Sequence, residues 1–301
     1  MGGDAAGPAF GFVALIGRPN VGKSTLVNAV VGEKVSIVSH VAQTTRTAVR
    51  AVLNGAGGQM VLVDLPGVGK PQTLLGERLN DLATRMMEEV DVVCFVVDAA
   101  GGIGRGDAHL AGMLPDRVPA VCVLNKVDAI GASVVAEQLV AAQALHDFDA
   151  YVPVSALTGD GVEIVAQELF ARLPPGEPMF PPEMATDQTE SHLISELVRE
   201  QYLLRMREEL PHSIAVMVDD IEGLYDPDPD ALLRVDATVY VERESQKGMV
   251  VGKGGATIKE VGTGARMQAE ALLGRRIYLH LRVRVSKHWQ RRADQLSRLG
   301  Y

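Results

Sequence analysis

The chain has 301 residues, 47% of them hydrophobic and 22% charged, which is typical of a globular protein with room for two domains. No apolar run reaches the ~20 residues that a transmembrane helix needs. The first ten residues lack the basic start and apolar stretch of a secretory signal, and two cysteines give no disulfide framework, so we expect a protein of the reducing cytoplasm.

The net charge of −9 conceals an asymmetry along the chain. Residues 243–301 carry 13 Lys or Arg against 4 Asp or Glu, whereas the rest of the chain carries 16 against 34. A basic tail on an acidic protein favours a C-terminal surface that meets a polyanion.

Short apolar runs alternate with amphipathic runs from residue 10 to about residue 173. The apolar runs predict strands at 10–16, 47–53, 60–64, 91–97, 119–124 and 151–154. The amphipathic runs predict helices at 23–31, 77–89, 105–113, 133–145 and 161–172. Because several strands are apolar on both faces, we predict a doubly wound α/β domain with a mostly parallel sheet over 9–173, after a flexible start at 1–8.

Five prolines among residues 173–183 cannot continue a helix or a central strand, so we predict a semi-rigid linker at 174–187. A second, α+β domain is predicted over 188–301. Its predicted elements are a helix at 189–210, strands at 213–221 and 232–242, a short turn at 246–251, a helix at about 255–272, a strand at 276–286 and a last helix at 288–298.

A glycine-rich sequence follows the first predicted strand and opens the first predicted helix. It reads Gly17-Arg18-Pro19-Asn20-Val21-Gly22-Lys23-Ser24-Thr25, which is the GxxxxGKS pattern of a phosphate-binding loop in its strand–loop–helix setting. Glycines let the main-chain N–H groups point at phosphate oxygens. Lys23 is predicted to bridge the β- and γ-phosphates of a nucleotide, and Ser24 to bind Mg²⁺.

Two further sequences complete the predicted phosphate site. Asp64-Leu65-Pro66-Gly67 follows a strand, so Asp64 is expected to hold Mg²⁺ and the Gly67 N–H to sense the γ-phosphate. Gln43-Thr44-Thr45-Arg46 lies in a polar loop, where one threonine hydroxyl would complete the Mg²⁺ shell only with triphosphate bound. The spacing favours Thr45 as this Mg²⁺ ligand, with Thr44 as the alternative. We expect Lys23, Thr45 and Gly67 to be the residues that take part in catalysis of hydrolysis.

The end of another strand predicts a guanine site. Asp128, in Asn125-Lys126-Val127-Asp128, can accept from N1–H and the 2-amino group of guanine, donors that adenine lacks. Asn125 is expected to tie neighbouring loops together and Lys126 to lie along the base. In Ser155-Ala156-Leu157, the Ala156 N–H is expected to donate to the guanine 6-oxygen.

The C-terminal domain contains a GxxG turn at Gly252-Lys253-Gly254-Gly255, next to a predicted helix. This pattern, with its flanking helices, matches the KH module, whose loop clamps the backbone of about four nucleotides of single-stranded RNA. Lys247, Lys259 and Arg266 are expected to flank the groove. A glycine turn with no ligand is the alternative that the pattern alone leaves open.

Together, the sequences GRPNVGKS, QTTR, DLPG, NKVD, SAL and VVGKGG make the chain resemble the Era family of bacterial ribosome-assembly GTPases, from about Phe10 to the end. The resemblance implies an N-terminal domain that hydrolyses GTP. It also implies a type II KH domain that binds 16S rRNA near its 3′ end during maturation of the small (30S) ribosomal subunit. We expect a cytoplasmic monomer that does not bind DNA, with a peripheral membrane contact as a further expectation.

The resemblance also bears on mechanism. Val68 occupies the position at which Ras-type enzymes place a water-orienting glutamine, and Asn20 matches a loop asparagine associated with K⁺ in related GTPases. We therefore expect slow hydrolysis that is faster in K⁺ than in Na⁺. Leu65 replaces a common threonine and Ala42 a common proline, which affects details of the mobile loops.

Two other functions are compatible with parts of the pattern. The chain would be an RNA-binding assembly chaperone if GTP acted mainly as a binding effector and turnover were incidental. A tRNA-modification or transport GTPase is disfavoured, because the sequence shows no methyl-transfer, metal or membrane-spanning segment.

Overall fold

The computed structural model of the protein describes residues 7–55, 57–206, 210–228 and 230–301. Residues 1–6 of the predicted flexible start and 207–209 of the predicted helix 189–210 lie outside the described residues. The chain divides into two compact units. The N-terminal unit comprises Met1–Ser36, Thr45–Gln72 and Gly76–Asp187, and the C-terminal unit comprises Ile37–Thr44, Thr73–Leu75 and Gln188–Tyr301.

Within the described residues, a six-stranded sheet forms the centre of the N-terminal unit. Its strands are β1 (Ala9–Ile16), β2 (Val49–Gly55), β3 (Gly58–Asp64), β4 (Val92–Asp98), β5 (Ala120–Asn125) and β6 (Ala150–Pro153), in the order β2-β3-β1-β4-β5-β6. The edge strand β2 runs antiparallel to β3, and the remaining pairs are parallel. The predicted mostly parallel sheet is therefore confirmed.

Helices cover both faces of this sheet. They are α1 (Lys23–Val31), α2 (Leu74–Glu88), α3 (Arg105–Ala111), α4 (Ala132–Gln143) and α5 (Val162–Phe170). Successive side chains of a strand point to opposite faces. Val13 and Leu15 accordingly pack into the core under α1 and α5, whereas Ala14 and Ile16 pack into the core under α2, α3 and α4. The parallel order brings the carboxyl ends of the central strands to one edge, where ligands bind in such sheets.

The proline-rich stretch predicted as a linker, 174–187, is hydrogen-bonded to the edge of the sheet. The Val52 N–H donates to the Ala185 carbonyl at 2.8 Å, and the Gln59 side chain accepts from the N–H groups of Met179 and Phe180, both at 2.9 Å. The bond from Val52 satisfies part of the otherwise open edge of β2. The stretch therefore belongs to the N-terminal unit, which ends at Asp187.

The C-terminal unit has helices packed on one face of a sheet. Within the described residues its strands are β7 (Ala215–Glu222), β8 (Leu233–Val241) and β9 (Ile277–Val285), with β7 antiparallel and β9 parallel to the central β8. Its helices are α6 (Glu190–Arg205), α7 (Glu244–Val251), α8 (Ala256–Leu273) and α9 (Ala293–Arg298). The alternating exposure along β9 matches a sheet with one covered face.

Two predicted elements of this unit were wrong. The predicted turn at 246–251 is helix α7, whose start is capped by the Gln246 side chain accepting from the N–H groups of Glu242 and Arg243 at 2.9 and 3.0 Å. The predicted last helix at 288–298 is interrupted, because His288 has a left-handed backbone (φ 54°) and a short 3₁₀ helix precedes α9. Among the described residues, no helix has both the length and the apolar character needed to cross a membrane.

Candidate nucleotide and RNA sites

The glycine-rich loop connects β1 to α1 through two close backbone approaches. A Cβ on Gly17 would lie 2.3 Å from the Val96 carbonyl oxygen, and a Cβ on Gly22 would lie 2.2 Å from Asn125 Nδ2. Gly22 also has φ 99°, in the left-handed region that favours glycine. The loop thus opens directly into the N-terminus of α1, whose first N–H groups have no partner inside the helix and suit an anion.

Lys23 is buried at the start of α1, with 6% of its surface exposed. Its Nζ donates to the carbonyl oxygens of Gly17 and Arg18, at 3.1 and 3.2 Å, so the side chain folds back across the loop. Burial lowers the pKa of Lys23 from 10.5 to about 8, and the nearby Asp64 carboxylate opposes that shift. A phosphate group would supply the negative charge that the buried ammonium lacks.

Ser24, Thr45 and Asp64 meet in what we call the hydroxyl–carboxylate cluster. The Ser24 hydroxyl donates to Asp64 Oδ2 at 2.6 Å, and Thr45 Oγ1 lies 3.0 Å from Ser24 Oγ and 3.2 Å from Asp64 Oδ2. Thr44 does not join them, because its hydroxyl donates to the Val41 carbonyl at 2.6 Å. The three side chains come from three separate sequence motifs, and Thr45 is the threonine that the spacing favoured.

The cluster suits a hard divalent cation. Burial raises the pKa of Asp64, although Lys23 and the hydroxyls of Ser24 and Thr45 oppose the rise. Asp64 Oδ1 is buried and accepts no hydrogen bond from the described residues. One carboxylate and two hydroxyl oxygens are the donors that Mg²⁺ takes when phosphate oxygens and water complete its shell.

The Asp64-Leu65-Pro66-Gly67 turn packs against the phosphate loop. A Cβ on Gly67 would lie 2.8 Å from the Pro19 backbone, so only glycine lets the two loops approach this closely. Leu65 is fully buried and Val68 is 8% exposed, and both belong to the hydrophobic core. The apolar residue in place of a glutamine therefore serves packing.

Arg18 turns its side chain away from the phosphate loop. Its Nε donates to Asp107 Oδ1 at 2.8 Å and its Nη2 to the Gly102 carbonyl at 3.1 Å. Asp107 lies on α3, is completely buried, and also accepts from the Gly104 N–H at 2.8 Å. Sequence reasoning missed Asp107, because a single aspartate 89 residues away from Arg18 carries no spacing signal.

Asn125 connects three loops at the end of β5. Its Nδ2 donates to the Val21 carbonyl at 2.9 Å, and its Oδ1 accepts from the N–H groups of Lys126 and Ala156, at 2.8 and 3.0 Å. The predicted tie between loops is thus present. The Ala156 N–H, predicted as a donor to guanine, is already engaged by Asn125.

Lys126 and Asp128 lie just beyond Asn125. Lys126 has a left-handed backbone (φ 68°), and its Nζ donates to the Asn20 carbonyl at 2.7 Å and to Asp98 Oδ2 at 2.5 Å. Asp128 is exposed in a short 3₁₀ helix. Ser155 is buried and Leu157 is 80% exposed. The arrangement leaves the Asp128 carboxylate exposed beside loops that hydrogen bonds from Asn125 and Lys126 join together.

In the C-terminal unit, the GxxG turn joins α7 to α8. Gly252, Gly254 and Gly255 all have positive φ, and a Cβ on Gly252 would lie 2.2 Å from Thr257 Oγ1. Lys253 is exposed at the tip of the turn. Because glycine has no side chain, the backbone is uncovered at these positions and a phosphate can approach it closely.

A cleft of about 320 Å³ separates α8 from β9. Its walls are Ile258, Lys259, Gly262, Thr263, Arg266, Tyr278, Leu279 and Leu281. Lys259 and Arg266, both predicted from sequence, line this cleft, whereas Lys247 on α7 does not. Tyr278, 54% exposed, was missed, although an aromatic on an alternating strand is a recognisable candidate for stacking on a base.

Comparison with known proteins bears on both units. A family model described as "50S ribosome-binding GTPase" matches residues 12–126, and one described as "KH domain" matches residues 209–290. The GTPase Era of Mycobacterium tuberculosis (strain ATCC 25177 / H37Ra) is 48% identical over 299 residues, covering 97% of this chain and 98% of that protein. This chain belongs to the Era family of GTPases.

Solved Era structures share the whole fold. Era in complex with MgGDPNP and nucleotides 1506–1542 of 16S ribosomal RNA is 37% identical, covers 98% of this chain and 99% of its own, and has a TM-score of 0.93. An Era variant from Aquifex aeolicus bound to GDP and AlF₄⁻ is 38% identical with a TM-score of 0.92, over 97% of this chain and 99% of its own. The predicted combination of a P-loop GTPase domain and a KH domain is confirmed.

Proposed function

We propose that this Era-family GTPase binds and hydrolyses Mg²⁺-bound GTP at the phosphate loop. We also propose that its C-terminal unit binds 16S rRNA near the 3′ end and thereby assists assembly of the small ribosomal subunit. The observation that carries the proposal is the hydroxyl–carboxylate cluster, which brings Ser24, Thr45 and Asp64 beside the buried Lys23. Without a nucleotide, this concentration of buried polar groups has no evident structural use.

In this proposal, Ser24, Thr45 and Asp64 hold Mg²⁺, which when bound supplies positive charge against the phosphate oxygens. The main-chain N–H groups of the loop and of α1 bind phosphate oxygens, and the Lys23 ammonium reaches the β- and γ-phosphates. Gly67, packed on Pro19, offers its N–H to the γ-phosphate. In this proposal, these groups together stabilise the negative charge on the phosphate oxygens.

The rate of hydrolysis is proposed to be low. The side chain of Val68 is buried in the core and has no polar group, so it does not orient the attacking water. K⁺ beside Asn20 is proposed, from the family resemblance, as a further source of positive charge near the phosphates.

RNA binding is proposed for the GxxG turn together with the cleft between α8 and β9. The exposed Lys253, with Lys259 and Arg266 in the cleft, provides cations for phosphates, and Tyr278 provides a face for stacking. Support for the choice of RNA comes from the relative bound to nucleotides 1506–1542 of 16S rRNA. A cytoplasmic monomer and a peripheral membrane contact stay predictions.

The test is GTP hydrolysis by the purified chain with Mg²⁺, alone and with an RNA of the 16S rRNA 3′-terminal sequence. We expect slow turnover that this RNA accelerates and that an unrelated RNA of equal length does not. RNA affinity that varies with the nucleotide while turnover stays constant would favour the assembly chaperone instead. ATP hydrolysis as fast as that of GTP would contradict the proposed site.

A further inference from the structure

The side chain of Arg18 extends from the phosphate loop to residues 98–107, the segment that ends β4 and begins α3. Its Nε donates to Asp107 Oδ1 at 2.8 Å, and its Nη2 donates to the Gly102 carbonyl at 3.1 Å. Asp107 Oδ2 accepts from the Gly104 N–H at 2.8 Å, and this aspartate is completely buried. Because a buried carboxylate is costly unless it is paired, the Arg18 guanidinium stabilises it. Asp107 therefore joins the phosphate loop to the start of α3.

A glycine makes room for the Arg18 side chain on α3. A Cβ on Gly106 would lie 2.7 Å from Arg18 Cδ, closer than side-chain atoms normally approach. The aliphatic part of Arg18 therefore lies against uncovered helix backbone, while its guanidinium reaches the buried carboxylate. Alanine in place of Gly106 would displace the Arg18 side chain without removing either charged group of the ion pair.

The phosphate loop has a second attachment to residues 98–107. Lys126 Nζ donates to the Asn20 carbonyl at 2.7 Å and to Asp98 Oδ2 at 2.5 Å. Asn20 has φ 66°, a left-handed backbone that is uncommon for a residue other than glycine. Arg18 and Asn20 are two residues apart, so this part of the loop is held at both ends by acidic side chains of one segment, directly or through a lysine.

The main chain of Arg18 contacts a phosphate-binding group. Lys23 Nζ donates to the carbonyl oxygens of Gly17 and Arg18 at 3.1 and 3.2 Å. The position of this ammonium therefore depends on the conformation of the loop at Arg18. In a phosphate loop, the ammonium and the main-chain N–H groups converge on the β-phosphate of the nucleotide. A conformation fixed at Arg18 thus helps to determine where these groups point.

We propose that Arg18 and Asp107 are positioning residues, which hold the phosphate loop in the conformation that binds the β-phosphate of a guanine nucleotide. This inference rests on the proposed nucleotide site, and neither side chain touches the nucleotide in it. Loss of the pair should weaken the binding of GDP, whose β-phosphate the loop encloses. It should spare the binding of GMP, which ends at the α-phosphate.

The test uses two variants that disturb the pair in different ways. The double variant Arg18→Met/Asp107→Leu removes both charges, and replacing both members of a buried ion pair by apolar side chains tends to preserve folding. Gly106→Ala keeps both charges and displaces Arg18 by its methyl group. Because alanine also favours a helix over glycine, this variant stays informative if the double variant unfolds.

Each variant has a matched control in the N-terminal unit. Gly112→Ala adds a methyl group at the other end of α3, where a Cβ would lie 3.5 Å from its nearest neighbour, the Ala108 carbonyl oxygen. Glu168→Met/Arg172→Met removes an ion pair of similar design. In that pair, Arg172 Nη1 lies 2.6 Å from Glu168 Oε2, and Arg172 Nη2 donates to the Asp149 carbonyl at 2.9 Å.

The measurement is calorimetric titration of the full chain, in Mg²⁺, with GDP and separately with GMP. We expect GDP to bind about tenfold or more weakly to Gly106→Ala and to Arg18→Met/Asp107→Leu, the factor that loss of one charged hydrogen bond to the β-phosphate implies. GMP affinity should stay within about twofold of the parent value. Both control variants should bind the two nucleotides as the parent chain does.

GDP affinity within about twofold of the parent in either variant would overturn the positioning role. So would equal losses of GDP and GMP affinity, which would indicate general damage to the fold of the unit. A parent chain that binds neither nucleotide would instead refute the proposed function. Failure of the inference and failure of the proposed function are therefore distinguishable in one set of titrations.

Discussion

At the scale of single residues, the polar side chains of the nucleotide site are of two kinds. Some hydrogen-bond to neighbouring segments of the chain, and others are exposed to a ligand. Asn125 and Lys126 are engaged with the phosphate loop, through Val21 and Asn20, and Arg18 is engaged with α3 through Asp107. Asp128 is exposed and stands beside this rigid framework. We therefore propose that the Asp128 carboxylate selects the base and that Lys23 and main-chain groups bind the phosphates.

Asp128→Asn should reverse the choice of base. An amide presents a donor where the carboxylate accepts, so GDP affinity should fall by about 10²-fold or more and xanthosine diphosphate should become the better ligand. Titration with the two labelled diphosphates measures the change. Asp147→Asn, at another exposed aspartate of the N-terminal unit, should leave both affinities as they are; an unchanged preference for guanine in Asp128→Asn would contradict the assignment.

Lys23 should make nucleotide binding consume protons near pH 8. In the nucleotide-free chain burial lowers its pKa to about 8, and bound phosphates should raise it again. Binding at pH 8 should then take up roughly half a proton, and at pH 6.5 almost none, because Lys23 is already charged there. Calorimetry in buffers of different ionisation enthalpy measures this uptake; equal values at both pH values would contradict it.

The lowered pKa of Lys23 also determines how the stability of the nucleotide-free fold changes with pH. Between pH 8 and 10.5 the unfolded chain binds more protons at Lys23 than the folded chain does, so this residue makes the nucleotide-free fold more stable as the pH rises through that window.

Replacement of K⁺ by Na⁺ tests the role proposed for Asn20. Hydrolysis should be several-fold faster in K⁺, because the match of Asn20 to a K⁺-associated loop asparagine implies that this ion adds positive charge near the phosphates. Steady-state rates at equal ionic strength measure the effect, and Asn20→Ala should abolish the difference. Equal rates in the two salts would remove K⁺ from the mechanism.

At the scale of helices and strands, the GxxG turn is a loop whose shape depends on backbone freedom. Gly254 has φ 60° and is exposed, with open space where a Cβ would be, so a side chain there would project into solvent. A negative side chain at this point would repel RNA phosphates.

Gly254→Asp should lower affinity for the 16S rRNA 3′-terminal RNA by about tenfold or more, since both backbone approach and charge are affected. Gly274→Asp is the matched control, because Gly274 has a similar φ of 63° and equally open surroundings at the other end of α8. Fluorescence anisotropy with labelled RNA measures both. Equal losses in the two variants would indicate damage to the fold, not to a binding site.

Most helices and strands of the N-terminal unit can be predicted from the sequence, because the central strands are apolar on both faces and the nucleotide motifs lie at the ends of these strands. The predicted Ser24, Thr45 and Asp64 meet for that reason. The extent of α7 was underestimated as a short turn, because its apolar stripe is weak and its start depends on a side-chain cap from Gln246. Asp107 was missed because its partner Arg18 is distant in sequence, and a lone charged residue on a helix predicts exposure.

At the scale of the whole molecule, charge is divided between the two ends of the chain. Residues 243–301 carry 13 basic and 4 acidic side chains, and the remainder carries 16 and 34. The acidic part disfavours nonspecific contact with nucleic acid, and the basic part attracts it.

RNA affinity should therefore depend strongly on salt. Release of counterions from about three phosphates, at Lys253, Lys259 and Arg266, predicts a slope of about −2 for log K against log salt concentration. Lys253→Ala should make the slope shallower by about 0.7. Arg292→Ala should not, because the Arg292 guanidinium is paired with the Asp294 carboxylate at 2.8 Å; a slope near zero in the parent would argue against phosphate contacts.

The position of Ile37–Thr44 constrains how such proteins can be recombined. A chimera joined at residue 187 would transplant the C-terminal unit but leave behind two side chains, Ile37 and Val41, that fill its core. Grafting the RNA module of a distant homologue therefore calls for exchanging Ile37–Thr44 and Thr73–Leu75, from the other half of the gene, as well. Sequence drift on α6 and in that octapeptide should be correlated across lineages, even though some 150 positions separate them.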